Sequence, residues 1–137
     1  MKKMLIPGCT VLFLALVLLL SCATLPAKPI TQADLPDLKG KWKGFYQYRG
    51  GSYTTVTLAV ELEIFDEKLN GNWTWNHADR PPTSFPSNGK IENGRIMYSW
   101  PGGQVNLGLR KGEGTMKLEG DYQFEPYEGT MYLNKVK

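Results

Sequence analysis

The sequence predicts an all-β fold, an eight-stranded antiparallel up-and-down barrel over residues 40–137. Three observations carry that expectation. From Gly40 onward apolar and polar residues alternate with the period of two that half-buried strands show. Helical periodicity is absent, and turn residues, glycine above all, recur at short intervals. Strands joined by tight turns pair each with its predecessor, and eight of them close into a cylinder that leaves no exposed edge. A flattened two-sheet β-sandwich is the alternative that the same pattern allows.

In the first strand Trp42, Gly44, Tyr46 and Tyr48 share one face, taken as inward, opposite Lys41, Lys43, Gln47 and Arg49. Gly50-Gly51 turns the chain. The second strand is the clearest, with Val56, Leu58, Val60, Leu62 and Ile64 on one side and Thr55, Thr57, Glu61 and Glu63 on the other. A turn at Asp66-Glu67-Lys68 leads to a third strand marked by Leu69, Gly71, Trp73 and Trp75. Residues 76–88, NHADRPPTSFPSN, carry three prolines and no alternation, and read as the one long loop. A short fourth strand at Lys90-Ile91-Glu92 is followed by Asn93-Gly94, a pair suited to the positive φ values of a type I′ hairpin turn. The fifth strand carries Ile96, Tyr98 and Trp100. Pro101-Gly102-Gly103 then leads to Val105, Leu107 and Leu109. Lys111-Gly112-Glu113-Gly114 precedes a seventh strand with Met116, Leu118, Gly120, Tyr122 and Phe124, and the eighth runs from Thr130 to about Val136.

Ahead of this domain, residues 1–21 read MKKMLIPGCTVLFLALVLLLS, two lysines and then an apolar run that ends in a small residue. That is the layout of a secretory signal, and the run is shorter than the roughly 20 apolar residues a spanning helix needs. Leu19-Leu20-Ser21-Cys22 resembles the lipobox of bacterial lipoproteins, with Leu20 where a smaller or β-branched residue is more usual. The resemblance implies that Cys22 is lipidated and becomes the first mature residue; a plain secretory signal or a retained anchor are the alternatives. Pro26, Pro29 and Pro36 and a scarcity of large apolar groups then suggest that residues 22–39 are a flexible tether, about 50 Å when stretched at about 3.1 Å per residue.

Processing at Cys22 leaves 137 − 21 = 116 residues, enough for one core. It also removes Lys2 and Lys3, so 14 basic residues face 13 acidic ones and the net charge falls from +3 to +1. Charges are interspersed, with no basic run of the kind that meets phosphate backbones, so no nucleic-acid partner is expected. Cys9 falls in the discarded segment and Cys22 carries lipid, which leaves no thiol for a disulfide.

Gly40-Lys41-Trp42, opening the first strand after the polar stretch 31–37, resembles the G-x-W of lipocalins and the similar start of avidins, together the calycins. The resemblance implies a small barrel whose mouth takes a ligand. The T-D-Y turn of lipocalins, the arginine after their last strand and the biotin-contacting residues of avidins have no counterpart here, so no particular ligand follows from it.

In an up-and-down order strands one, three, five and seven run the same way, so their last inward residues meet at one rim. Those residues are Tyr46 and Tyr48, Trp73 and Trp75, Tyr98 and Trp100, and Tyr122 and Phe124. The long loop joins the same rim, and the tether enters at the other end, so an aromatic mouth facing away from the membrane is expected. Two readings stay open. The rings can simply fill a narrow barrel, or they can line a pocket with a lid, since loops beyond about 12 residues are usually functional or disordered. His77, Asp79 and Arg80 on the loop, with Arg49 beside the first turn, are the polar handles the pocket reading offers, and each is equally consistent with a solvated loop residue. Gln104 and Asn106 alternate outward.

Catalysis finds little support. His77 is the single histidine, and no G-x-S-x-G elbow frames Ser52, Ser84, Ser87 or Ser99. One histidine near Asp79 falls short of the usual set of metal ligands, so neither metal nor cofactor is expected. Glu61 and Glu63, about 7 Å apart by strand rise, lie on the outward face. The glycine pairs stand between strands with no helix behind them, unlike phosphate loops.

The sequence thus predicts a non-enzymatic, lipid-anchored envelope protein that binds a small apolar or aromatic ligand through Tyr46, Tyr48, Trp73, Trp75, His77, Arg80, Tyr98, Trp100 and Tyr122. By family analogy, Ala23 after the cysteine sorts it to the outer membrane of a double-membraned cell, facing the periplasm, or places it on the outer face of a single membrane. The alternative of another class is a filled barrel that docks or inhibits a second envelope protein, for which a ring such as Phe85 should project outward. Carbohydrate recognition by exposed tryptophans is a third.

Overall fold

The computed structural model describes residues 27–49 and 55–137, so the signal segment, Cys22 and the Gly50-Gly51 turn lie outside the described residues. Eight antiparallel strands form a closed barrel in sequence order: β1 (Gly40–Arg49), β2 (Thr55–Ile64), β3 (Asn70–Trp75), β4 (Thr83–Glu92), β5 (Arg95–Trp100), β6 (Gly103–Gly112), β7 (Thr115–Phe124) and β8 (Tyr127–Lys135). Closure is made by β8 pairing with β1, from Trp42 opposite Lys135 to Tyr48 opposite Gly129. The sandwich alternative is thereby excluded.

Alternation places the core. Trp42 and Tyr46, Val60, Leu62 and Ile64, Trp73 and Trp75, Ile96 and Tyr98, Val105, Leu107 and Leu109, and Leu118 and Tyr122 are buried, as the period-two pattern requires. Met131 and Leu133 complete it from β8. On the outer face Glu61 and Glu63 pair with Lys43 and Lys41 across the β1–β2 ladder. Asn93 and Gly94 have φ values of 51° and 71°, the type I′ geometry their sequence suggests. In the closing seam a Cβ on Gly44 would sit on the carbonyl oxygen of Tyr132, and one on Gly129 on that of Gln47. Both positions bend where only a bare backbone can approach its neighbour.

Three expectations need correction. The segment 76–88 is a loop only through residue 82, because β4 begins at Thr83 and pairs with β3 through Phe85 and Ser87. Pro86 is tolerated there because β4 pairs with β5 only from Gly89 onward, so half of the strand has one neighbour and a missing N–H breaks no second ladder. Leu69 belongs to the β2–β3 turn rather than to β3 and holds a φ of 61°, yet it is buried. Asp66 stabilises that turn by accepting from the backbone N–H of Lys68 and Asn70.

The third correction concerns the tether, which does not extend to Lys39. Ile30, Leu35 and Leu38 are buried in the core, and a 3-10 turn (Gln32–Asp34) followed by α1 (Leu35–Leu38) closes the base of the barrel. The Ile30 N–H donates to the Gly94 carbonyl at 2.8 Å, and Lys28 bridges Leu109 on β6. Thr31 and Asp34 form a capping box, Asp34 accepting from the Thr31 backbone N–H at 2.9 Å. Lys111 then binds both Asp34 at 2.7 Å and Asp37 at 3.0 Å. Trp42 of the Gly40-Lys41-Trp42 motif donates its Nε1–H to the Leu38 carbonyl at 2.8 Å, and the Lys135 ammonium lies over its ring, 5.7 Å from the centroid. Among the described residues the core runs from Ile30 to Leu133, so residues 27–137 carry this core and the closed sheet.

Candidate functional site

The end of the barrel opposite the plugged base is lined with rings, as the parity of the strands dictates. Tyr46 from β1 lies 4.7 Å from Trp75 of β3 and 5.4 Å from Tyr122 of β7, measured between ring centroids. Trp75 also meets Tyr122 at 5.6 Å and Trp100 at 6.0 Å, both edge to face. One turn deeper Trp73 meets Tyr98 at 5.4 Å and 90°. Such tilted and edge-on pairs are the arrangements the ring quadrupole favours.

These rings divide into a plug and a lining. Trp73 and Tyr98 are fully buried beneath the others and reach no cleft, which removes them from the expected contact set. Above them opens a cleft of about 450 Å³ bordered by Tyr46, Tyr48, Trp75 and Tyr122 from the expected set, with His77, Asp79 and Arg80 on its loop wall. An adjoining recess of about 240 Å³ is shared by Trp75, His77, Arg80 and Trp100 with Phe85 and Phe124. Leu58 and Tyr127 also border the larger cleft, and the sequence reading missed them because it followed only the ends of odd-numbered strands. Even-numbered strands begin at the same mouth, so Leu58, already read as inward, was legible by the same rule, whereas Tyr127 was not, because the eighth strand was read from Thr130 and begins at Tyr127.

The polar groups of the mouth are held in place by local bonds. The loop carbonyl of Asn76 accepts from the Tyr46 hydroxyl at 2.5 Å. His77 Nε2 lies 3.0 Å from Thr83 Oγ1, and its Nδ1 is 3.5 Å from the Arg80 guanidinium. Partial burial, and then the Arg80 charge, hold the imidazole below its usual pKa, with Asp79 opposing. His77 faces Thr83 and Arg80; among the described serines Ser84 bonds Thr74 on the outer wall and Ser87 is buried. Burial, then the neighbouring Tyr48, pushes Tyr46 up to about 12, and burial likewise raises Tyr122 and Tyr98. All three phenols stay protonated; the Tyr46 proton is given to Asn76, and of the other two only Tyr122 borders the cleft.

Two lining residues, Trp75 and Tyr122, each keep a buried polar atom, Nε1 and the hydroxyl, without a partner among the described residues. Trp73 Nε1, Tyr98 OH and Ser87 Oγ in the plug share that condition. Arg49 stays outside the cleft. Among the described residues no group of three histidine, cysteine, aspartate or glutamate side chains is arranged to hold a metal ion. No protein-family model matches this chain, and no curated protein or solved structure matches it either.

Proposed function

We propose that this is a lipid-anchored, non-enzymatic envelope protein whose barrel mouth binds a small, largely aromatic or apolar ligand carrying a hydrogen-bond acceptor. The observation that carries the reading is the ring-lined cleft above the plug, with Trp75 and Tyr122 on its floor and Arg80 and His77 on its wall. A buried donor left without a partner costs about 1–3 kcal/mol, which a ligand oxygen that reached it would recover. The ring faces offer apolar area at little entropic cost. Anchored at Cys22, the protein would hold this mouth away from the membrane, because the N-terminal segment leaves from the base.

Titration of residues 27–137 with 1-anilinonaphthalene-8-sulfonate, an aromatic probe with a sulfonate acceptor, tests the reading through tryptophan quenching and probe emission. Tyr48→Ala and Arg80→Ala should each weaken binding about fivefold or more, since these half-exposed or exposed side chains can be cut back without opening the core. Trp75→Ala is a poorer probe, because a large buried ring lost from a core costs about 3–5 kcal/mol of stability. Saturable binding that both variants leave unchanged would sink the site.

Docking onto another envelope protein is the second reading. Phe85 does not project as that reading expects; it lies in β4 and packs on Trp100 at 5.4 Å. Tyr127, 48% exposed beside Tyr48, is the feature that supports it. Native mass spectrometry of the protein from cell extract separates the two by the mass that accompanies it.

A further inference from the structure

The base of the barrel carries a surface of different chemistry from the mouth. Among the described residues four large apolar side chains are exposed, Phe45, Phe65, Tyr127 and Val136, and two of them, Phe65 at 51% and Val136 at 41%, stand at the base. They are neighbours by topology. Phe65 directly follows β2, Val136 directly follows β8, and β1 lies between these strands, with the Val136 N–H bonded to the Lys41 carbonyl at 2.8 Å.

Lysines surround them. Lys39 and Lys41 come from the start of β1, Lys135 and Lys137 from the end of β8, and Lys111 and Lys117 from the adjoining β6–β7 hairpin. Of the nearby acids, Asp34, Asp37 and Glu63 are engaged with Lys111 and Lys41, and Asp66, next to Phe65, is bonded within its own turn to Lys68 and Asn70, while Lys39, Lys117 and Lys137 make no ion pair among the described residues. Glu67 and Glu113 bound the sector on the flanking turns. At the mouth the balance is reversed, since Asp79, Asp121, Glu125 and Glu128 outnumber Arg49 and Arg80.

Chain length limits how far this face can stand from Cys22. Residue 28 is bound to the base at Leu109. Only six residue steps separate it from Cys22, so at about 3.5 Å per step the base can stand no more than about 20 Å from that cysteine. If the apolar run at 11–20 is what meets the membrane, eight steps from residue 20 set a limit of about 28 Å.

We propose that the basal sector around Phe65 and Val136 docks on an anionic lipid surface, the lysines contacting headgroup phosphates and the two apolar side chains entering the interface. Lysines near an anionic bilayer attract it individually and additively, and exposed apolar side chains among them deepen the contact. The membrane anchor of the proposed function then sets the distance, and the base sets the orientation.

The test uses residues 27–137, which lack the N-terminal segment, and sedimentation with two kinds of vesicle. One is phosphatidylglycerol and phosphatidylcholine in equal parts, the other phosphatidylcholine alone. Binding to the first and not the second, with release by salt, is expected. Lys39→Ala with Lys137→Ala should weaken it about tenfold or more, and Phe65→Ser with Val136→Ser should weaken it with the salt dependence kept. Arg49→Ala at the mouth should leave it unchanged. Equal binding to both vesicles, no binding to the anionic ones, or equal loss in the Arg49 variant would overturn the proposal. Because no anchor and no mouth ligand enters the assay, its failure leaves those readings untouched; the distance limit from Cys22 rests on the proposed anchor.

Discussion

Replacing Asp34 by asparagine should loosen the plug at the base in a way that depends on pH. Asp34 is buried, accepts from the backbone N–H and hydroxyl of Thr31, and binds the Lys111 ammonium at 2.7 Å. The Lys111 hydrogen bond first, and the Thr31 backbone N–H next, lower its pKa from 3.8 to about 2. At 1.36 kcal/mol per unit that difference is worth about 2.4 kcal/mol. Lys111 is 35% exposed, so solvent screening reduces it to about 1–2 kcal/mol. Because the folded pKa is depressed, the contribution is present above the unfolded value of 3.8 and is lost as pH falls toward about 2. Asp34→Asn keeps the acceptor for Thr31 and removes only the charge. Urea unfolding followed by tryptophan fluorescence should then show the variant about 1–2 kcal/mol less stable at neutral pH, with the gap closing below about pH 4. A gap that stays constant down to pH 2, or none at neutral pH, would refute the role given to this pair. Lys111 gives the reciprocal limit: its pKa is raised mainly by the Asp34 and Asp37 hydrogen bonds, so the same stability is present below 10.5 and fades as pH rises through the higher folded value.

Three other outcomes are expected. Gly129→Ala should cost about 2–3 kcal/mol or prevent folding, because the new methyl meets the Gln47 carbonyl in the closing seam; a denaturant midpoint equal to wild type would contradict that contact. Tyr98→Phe removes a buried hydroxyl that has no partner, so stability should hold or rise, and a loss above about 1 kcal/mol in thermal unfolding would show that the hydroxyl is bonded. The His77 imidazole, followed by NMR, should titrate below 6.5 and move up in Arg80→Ala; since its folded pKa is lowered, any stability it lends is present above 6.5 and lost as pH falls.

The barrel was legible because alternation is a local signal that survives wherever one face of a strand is buried and the other wet. Val56 to Ile64 show it without a break, and even the Asn93-Gly94 turn follows from residue type alone. The base was not legible, since Ile30, Leu35 and Leu38 are spread among prolines with no period and gain meaning only from the opening they cover. The first half of β4 was hidden by Pro86, whose cost depends on how many neighbours a strand has, and that is a property of the assembled sheet. At the mouth, parity correctly gathered the rings. Depth was the missing coordinate: Trp73 and Trp75 share a face, yet one is floor and the other foundation. How far a ring stands below the rim depends on strand stagger, which no single strand encodes.

The seam between β1 and β8 has a consequence for biogenesis. Seven of the eight ladders join neighbours in sequence and can zip as hairpins while the polypeptide is still arriving, but the eighth sets Trp42 against Lys135 and waits for the extreme C-terminus. Non-local pairings of this kind are the slow ones. Until that last rung locks, the partly formed barrel presents two unpaired edges and an uncovered aromatic interior, so the interval before closure is when aggregation or proteolysis would reach it.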